Sequence, residues 1–542
     1  MRSTFMGLET AHRGMFTQQS ALYVTGHNIA NANTPGFSRQ RINFEQTSPY
    51  PAASMNRPQI PGQMGTGVEA GSVQRIREGF LDLQYRVESN KVGYYSSMSE
   101  SLTKMEEIMN EPSESGLHTT MEKFWNSLQD IASHTENTGA RDVAAASGQM
   151  VADTLNYYYN SLSRVQQDIG SEIGVKVKEI NGLVSQIDQL NKQIASVEPN
   201  GYLPNDLYDE RDMYVDQLSQ LVNIKVTNVK PTEYGHAKDI AEGLYKIEIV
   251  GEDGKSFETP AVLLDVTKDS GIQPLKPLTI YDADDVSPEN AANPDLELIS
   301  GPVAKVMVGD IELKGFNFSG ELAGLIDSYG YQSEGKTVGY YPEMIQKLND
   351  FTKAFVMEFN EIHKAGYALN GEKDINFFEP ITGNNAAQEI KVNKEILADS
   401  SLIAASSAAG VSADGKVDSG NNDNAHLLAL IKTKALGSFE SKQKYPDDFP
   451  PSMTSGNLDT YYSGIIGRLG VDSQSAQKNA KNSLVLADSV DKSRQSVSAV
   501  SLDEEMTNMI KFQHAYNAAA RNITVVDEML DKIINGMGVV GR

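Results

Sequence analysis

The chain has 542 residues, with 47 Lys plus Arg against 72 Asp plus Glu and a net charge of −25. That length calls for more than one hydrophobic core, and that acidity argues against nucleic acid or an anionic membrane surface as partner, because both recruit basic patches. With no cysteine, disulfides, thiolate metal sites and a cysteine nucleophile are excluded.

The first predicted element is a helix. Leu8, Ala11, Met15, Gln18, Leu22, Thr25 and Ile29 step alternately by three and four residues, the beat of a coiled-coil seam. The segment Asn28, Asn31, Asn33, Thr34, Pro35, Gly36 and Phe37 then concentrates residues that end helices and force turns. Residues 38–67 lack a helical period and read as extended chain, and Val68 and Val73 mark a short strand.

Helix dominates from Phe80. One pattern (Phe80, Leu83, Val87, Leu102, Met105, Met109) runs to Pro112, and another (Leu117, Met121, Phe124, Leu128, Ile131) carries Trp125, the only tryptophan. Between Val151 and Val197 apolar residues keep a near-heptad beat, which predicts a helical bundle or coiled coil. Pro199-Asn200-Gly201 stops it, and Leu207, Tyr214, Leu218 and Leu221 predict a return helix. From Val222 the period becomes two, in Ile224-Lys-Val226 and Tyr245-Lys-Ile247-Glu-Ile249, and residues 222–320 read as a β-rich insertion. Helix returns over 342–365 and 461–500.

The last predicted helix has the strongest pattern. Met509, Phe512, Tyr516, Ala519, Ile523, Val526, Leu530, Ile533 and Met537 alternate gaps of three and four without a break. Ser501 with Glu504 reads as a capping box. Two amphipathic helices at the termini are expected either to pair with each other or to lie separately on a globular core. The expected fold class is multidomain and mainly α, with a long helical bundle, a terminal coiled coil and a β-rich inserted domain. The expected division is 1–64 plus 501–542 as a terminal coiled-coil inner domain, 65–221 plus 321–500 as a discontinuous helical rod, and 222–320 as an outer insertion.

Chemistry-bearing constellations are missing. The eight histidines are scattered without metal-ligand spacing, and no nucleophile elbow or phosphate loop is present. No catalytic residue, cofactor or metal site is expected. No apolar run reaches the roughly 18–20 residues that span a bilayer, so membrane insertion is not expected. The N-terminus lacks the apolar core of a cleaved secretory signal.

The terminal segments carry a resemblance. NIANANTPGFSRQR (28–41) and SLDEEMTNMIKFQHAYNAAARNITVVDEML (501–530) are similar to the opening and closing signatures of the axial proteins of the bacterial flagellum. Arg39-Gln40 and GTGVEAGSVQRIREGFL (65–81) place the resemblance nearest the hook-associated branch of that family. Phe37 departs from the tyrosine frequent there. The resemblance implies a structural, non-enzymatic subunit, exported through the flagellar apparatus without a cleaved signal and located outside the cell at the junction of hook and filament. Implied partners are further copies of itself, the hook protein, the second hook–filament junction protein, the filament cap during assembly, and an export chaperone on the C-terminal helix. A hook or rod protein is the near alternative. An adhesive or enzymatic role for residues 222–320 is the distant one.

Overall fold

The computed structural model describes residues 5–51, 54–55, 62–269, 271–282, 301–407 and 418–536. Met537, the last position of the expected C-terminal seam, lies outside them. In chain order the main elements are α1 (Phe5–Ala30), β1 (Gln40–Gln46), β2 (Val68–Arg75), α2 (Gly79–Met109), α3 (Leu117–Ser133), α4 (Thr138–Val197), α5 (Asn205–Leu221), β3 (Ile224–Val229), β4 (Leu244–Val250), β5 (Ser256–Leu264), β6 (Leu278–Asp282), β7 (Val303–Val308), α6 (Glu321–Tyr329), α7 (Tyr340–Ala365), α8 (Leu458–Ser498) and α9 (Leu502–Asp531). The architecture is multidomain and mainly helical, with long helices at both ends and strands in the middle, as the patterning predicts. α4 begins before its first strong apolar beat at Val151. Its early turns bury the small residues Ala144 and Ala145, which favour helix but contribute little hydrophobic signal.

The chain forms two compact units, each discontinuous. The first comprises Met1–Asn90, Ile180–Pro277 and Leu484–Arg542. In it, β1 and β2 make an antiparallel ribbon with a register shift between Asn43 and Phe44. The strands β3, β4 and β5 form an antiparallel sheet in that order. Val229 and Leu244 from that sheet pack with Ile194 of α4, Tyr208 of α5 and Val266 in one buried cluster. Burial here removes apolar side chains from water at roughly 1.5–3 kcal/mol each.

The second unit comprises Lys91–Glu179 and Leu278–Ser483. Its centre is a cluster of rings. Phe124 and Trp125 of α3 meet Phe355 and Phe359 of α7 and Phe377 and Phe378 of the following loop, with centroids 4.9–6.3 Å apart. Phe124, Phe355, Phe359, Phe377 and Phe378 are fully buried. The strand β7 pairs antiparallel with β6 and parallel with Tyr331–Ser333.

The division differs from the one expected. Residues 222–320 do not stand as a unit of their own, because β3–β5 pack on α4 and α5 in the first unit whereas β6 and β7 belong to the second. Likewise the first unit extends past residue 64 to take in β2 and the start of α2. Strand patterning reports which face is buried, not which partner buries it.

His363 lies fully buried beside the ring cluster. Its Nδ1 donates to the Ile375 carbonyl at 2.8 Å and its Nε2 accepts from the Ala404 amide at 3.0 Å, which fixes a neutral tautomer. Burial pushes its pKa down to about 4. The unfolded state therefore binds the extra proton between the ordinary histidine value near 6.5 and about 4, so stability falls as pH drops through that window. We expect acidification from pH 7 to 4 to cost the second unit about 3 kcal/mol through this group. The loss is readable as a lowered urea midpoint of Trp125 fluorescence. A His363→Phe variant should lack this histidine-specific component.

Candidate assembly surface and its ionic base

α1 and α9 pack along their lengths. An ideal Cβ on Gly7 would sit 3.8 Å from Val526, and Glu505 lies against Asn28 at the other end, so the two helices run antiparallel. Of the seam positions, Leu8, Ala11, Met15, Leu22 and Ile29 on α1 and Met509, Phe512, Tyr516, Ala519, Ile523, Val526 and Leu530 on α9 are half-buried. Ile533 is 45% exposed. α1 also uses a second face. Thr17, Ala21, Thr25 and Asn28 are its buried residues, and Thr17 Oγ1 donates to the Val68 carbonyl of β2 at 3.1 Å. The sequence pattern names Thr25 as a seam position and Asn28 as part of the turn, but Thr17 and Ala21 give no apolar beat.

Other apolar side chains remain outside. Phe5, Phe16 and Tyr23 are 50–79% exposed, and spacings of eleven and seven residues put them on one stripe of α1. On α9, Leu502, Met506, Ile510, Val525 and Met529 are also exposed, as is Ile534 just past its end.

A polar clamp fixes the base of the pair. Asn28 Nδ2 donates to the Gln40 carbonyl at 2.8 Å and to Glu505 Oε2 at 3.2 Å, and Asn28 Oδ1 accepts from the Gln40 amide at 3.0 Å. Arg39 donates to Glu505 at 2.8 Å and Glu504 at 2.6 Å. The expected capping box does not form: Ser501 makes no side-chain cap and Glu504 turns to Arg39. A charge-assisted bond to arginine outcompetes a neutral cap.

The turn motif closes on itself beside this clamp. The Asn31 amide donates to the His27 carbonyl at 3.1 Å, Thr34 Oγ1 donates to Asn31 Oδ1 at 3.1 Å, and the Phe37 amide donates to the Thr34 carbonyl at 3.2 Å. Gly36 adopts φ +79° with Met213 3.6 Å from an added Cβ, a left-handed position that suits glycine. Phe37 meets the His27 ring edge-on at 5.4 Å. Asn33, Thr34, Pro35 and Gly36 are exposed.

Beneath the clamp lies an ionic cluster that the sequence reading passed over. Arg75 Nη2 reaches Asp212 at 2.6 Å, its Nη1 reaches Asp209 at 2.8 Å, and its Nε and Nη2 take both oxygens of Glu242. Arg86 bridges Asp212 and Asp216 at 3.0 and 2.8 Å, and Arg77 joins Asp82 at 2.7 Å and Asp212 at 3.4 Å. Arg211 lies 3.4 Å from the Tyr245 ring centroid, and the Tyr245 hydroxyl donates to Asp212 at 2.9 Å. Arg494 of α8 ties in the C-terminal segment, bonding Asp216 and lying 4.0 Å from the Tyr85 ring centroid. Burial opposes charge on Asp212, yet Arg75, Arg77, Arg86 and Arg211 hold its pKa well below the carboxylate range. At Asp209 burial wins over Arg75 and the pKa is raised. A signal was available: Asp209, Asp212 and Asp216 fall at i, i+3 and i+7 on α5, on the face that carries Tyr208, Val215 and Ser219.

The arrangement ties α2, α5, α8, β2 and β4 together through paired charges. Among the described residues, His118, Glu122 and Asp459 form the one group of three with metal-ligand proximity, but Glu122 is already paired with the Lys432 ammonium. No helix among the described residues is long and apolar enough to cross a membrane.

Comparison with known proteins agrees with this geometry. The flagellar hook-associated protein FlgK helical domain model matches residues 102–239 and 287–378. The flagella basal body rod protein model matches 8–37, and the C-terminal model of the flagellar basal body rod FlgEFG proteins matches 493–536. The chain is 43% identical over its whole length to flagellar hook-associated protein 1 of Bacillus subtilis, covering all of both chains. It is 22% identical to the Salmonella typhimurium protein of the same name, over 97% of this chain and 98% of that one. The solved structure of the flagellar hook junction protein FlgK from Burkholderia pseudomallei superposes with a TM-score of 0.54 at 15% identity, covering 78% of this chain and all of that one, a likeness of fold. With 43% identity across the full length of both chains, the chain belongs to the flagellar hook-associated protein 1 family.

Proposed function

We propose that this chain, a structural subunit of the bacterial flagellum, forms the junction between hook and filament by joining copies of itself through its terminal helices. The observation that carries this reading is the pair α1 and α9, packed against each other yet presenting large apolar side chains on their remaining faces. A two-helix pair has too little interior to bury those faces alone. Neighbouring copies in a ring would cover them.

On this reading the paired helices α1 and α9 form the inner layer, and the turn at Asn31–Phe37 sets how α1 leaves for the outer layers. The seam residues then serve pairing within one copy, and the exposed stripes serve contact between copies. The hook protein, the second junction protein and the filament cap are the neighbours proposed along the axis, and an export chaperone would cover α9 before assembly. The chain would leave the cell through the flagellar apparatus without a cleaved signal and work outside it, with no enzymatic role. The net charge of −25 would oppose aggregation until a specific contact forms.

Deletion of residues 1–36 and 502–542 tests the reading. The truncated chain should keep the folded second unit, with native Trp125 fluorescence, and should fail to cap hooks or support filaments. Filaments growing on hooks capped by that truncated chain would overturn it.

A further inference from the structure

A cavity of about 360 Å³ opens between the turn motif and α5. Pro35, Phe37 and Met213 supply apolar wall, and Asp206 and Glu210 supply exposed carboxylates. The third acid there, Asp209, is already committed to Arg75 and the Ser38 amide. Asp206 Oδ1 accepts from Gln40 Nε2 at 2.7 Å and faces His27 Nε2 at 3.4 Å. Among the described residues, the Glu210 carboxylate meets only the Tyr214 hydroxyl, at 3.5 Å. An apolar wall ending in two carboxylates suits a long cationic side chain, whose stem packs while its head pairs.

The complementary group sits on α9. Arg521 is exposed, and among the described residues it makes no ion pair. Its helix neighbours at three and four residues are Asn517, Ala518, Thr524 and Val525, so no acid on its own helix is placed to neutralise it. At 3.6 residues per turn it lies about half a turn from the seam, facing away from α1. It cannot serve its own cavity. Glu505, fixed beside the turn by Asn28 and Arg39, is sixteen positions earlier, about 24 Å along the helix.

We propose that the cavity between the turn and α5 is a socket for Arg521 of a neighbouring copy of this chain. The guanidinium enters over Phe37 and Met213 and pairs with Glu210 and Asp206. This rests on the self-assembly proposed above and specifies one contact through which copies register. It makes assembly depend on salt and on the turn, beyond the burial of apolar stripes.

The natural absence of cysteine gives a clean test. A full-length chain with Glu210→Cys and Arg521→Cys, assembled on hooks and then treated with a bifunctional thiol cross-linker that spans the gap left by the two long side chains, should yield dimers and higher ladders linked between copies. Each single-cysteine chain gives the background. A second pair of variants reads the charge directly. Glu210→Lys and Arg521→Glu should each weaken association of purified chain by about tenfold at low salt, and the double reversal should recover most of it. If the unmodified chain assembles but the double-cysteine chain gives no ladder above background, and the reversals do not compensate, the socket is wrong while the assembly reading stands. If the unmodified chain makes no contact between copies at all, both fall.

Discussion

Replacing Asp212 by alanine is expected to destabilise the first unit by about 3–5 kcal/mol, the cost of leaving buried charge without its partner. Asp212 is 2% exposed at its side chain and receives Arg75, Arg86, Arg77 and the Tyr245 hydroxyl. Removing it strands three arginines that are themselves 6–12% exposed. They would retain Asp209, Asp216, Asp82 and Glu242, so the unit need not unfold outright, but its charges no longer balance at the centre. Because arginine attraction depresses the Asp212 pKa, its contribution is full above the ordinary carboxylate range and lost as pH falls through the much lower folded value. Hydrogen exchange over 205–250 under native conditions measures the effect, since the tryptophan lies in the other unit. Unchanged protection there would show that the cluster is not what holds α5 to β2 and β4.

Phe359→Ala should cost the second unit about 3–5 kcal/mol. Phe359 is fully buried and touches Phe124, Phe355, Phe377, Phe378 and the His363 ring at centroid distances of 4.9–6.4 Å. Those rings come from three separate chain segments, so no single helix can shift to close the void, and partial collapse leaves most of the cavity term in place. The sole tryptophan, Trp125, sits in this cluster beside Phe124 and Phe355 without itself pairing with Phe359. Urea unfolding followed by its fluorescence therefore reports the second unit. A midpoint lowered by less than the equivalent of about 1 kcal/mol would mean that the neighbouring rings repack, and that the cluster is softer than its burial indicates. The two variants act in different units, so each should leave the other unit's signal nearly unchanged.

The two clusters differ in how far they could be read in advance. Phe124, Phe355 and Phe359 fall on apolar helical faces, so their burial was legible, and the structure adds only that the faces meet with Phe377 and Phe378. The arginine–aspartate cluster was not legible as a core. Arg75 and Arg86 pair with Asp212 and Glu242 across 126–167 positions and Arg494 with Asp216 across 278, and a charged residue is ordinarily read as solvent-facing. The cavity beside the turn is similar. The turn residues Asn31–Phe37 stand out in the sequence, but Asp206 and Glu210, which give that cavity its charge, look like the polar side of an unremarkable helix.

The helices and their seams, the turn between α1 and β1, the change of period at Val222 and the family resemblance are all legible in the residues alone. These are local or periodic properties, set by spacing and by backbone preference within a few residues. Tertiary packing places β3, β4 and β5 with the chain termini and β6 and β7 in the second unit. It also takes Glu504 from its cap to Arg39, and sets Arg75, Arg77, Arg86, Arg211 and Arg494 among facing carboxylates in the first unit. Such choices depend on which desolvated charge finds a partner close enough to offset the loss of water, and that partner is fixed by the packing of distant segments, which no local pattern encodes.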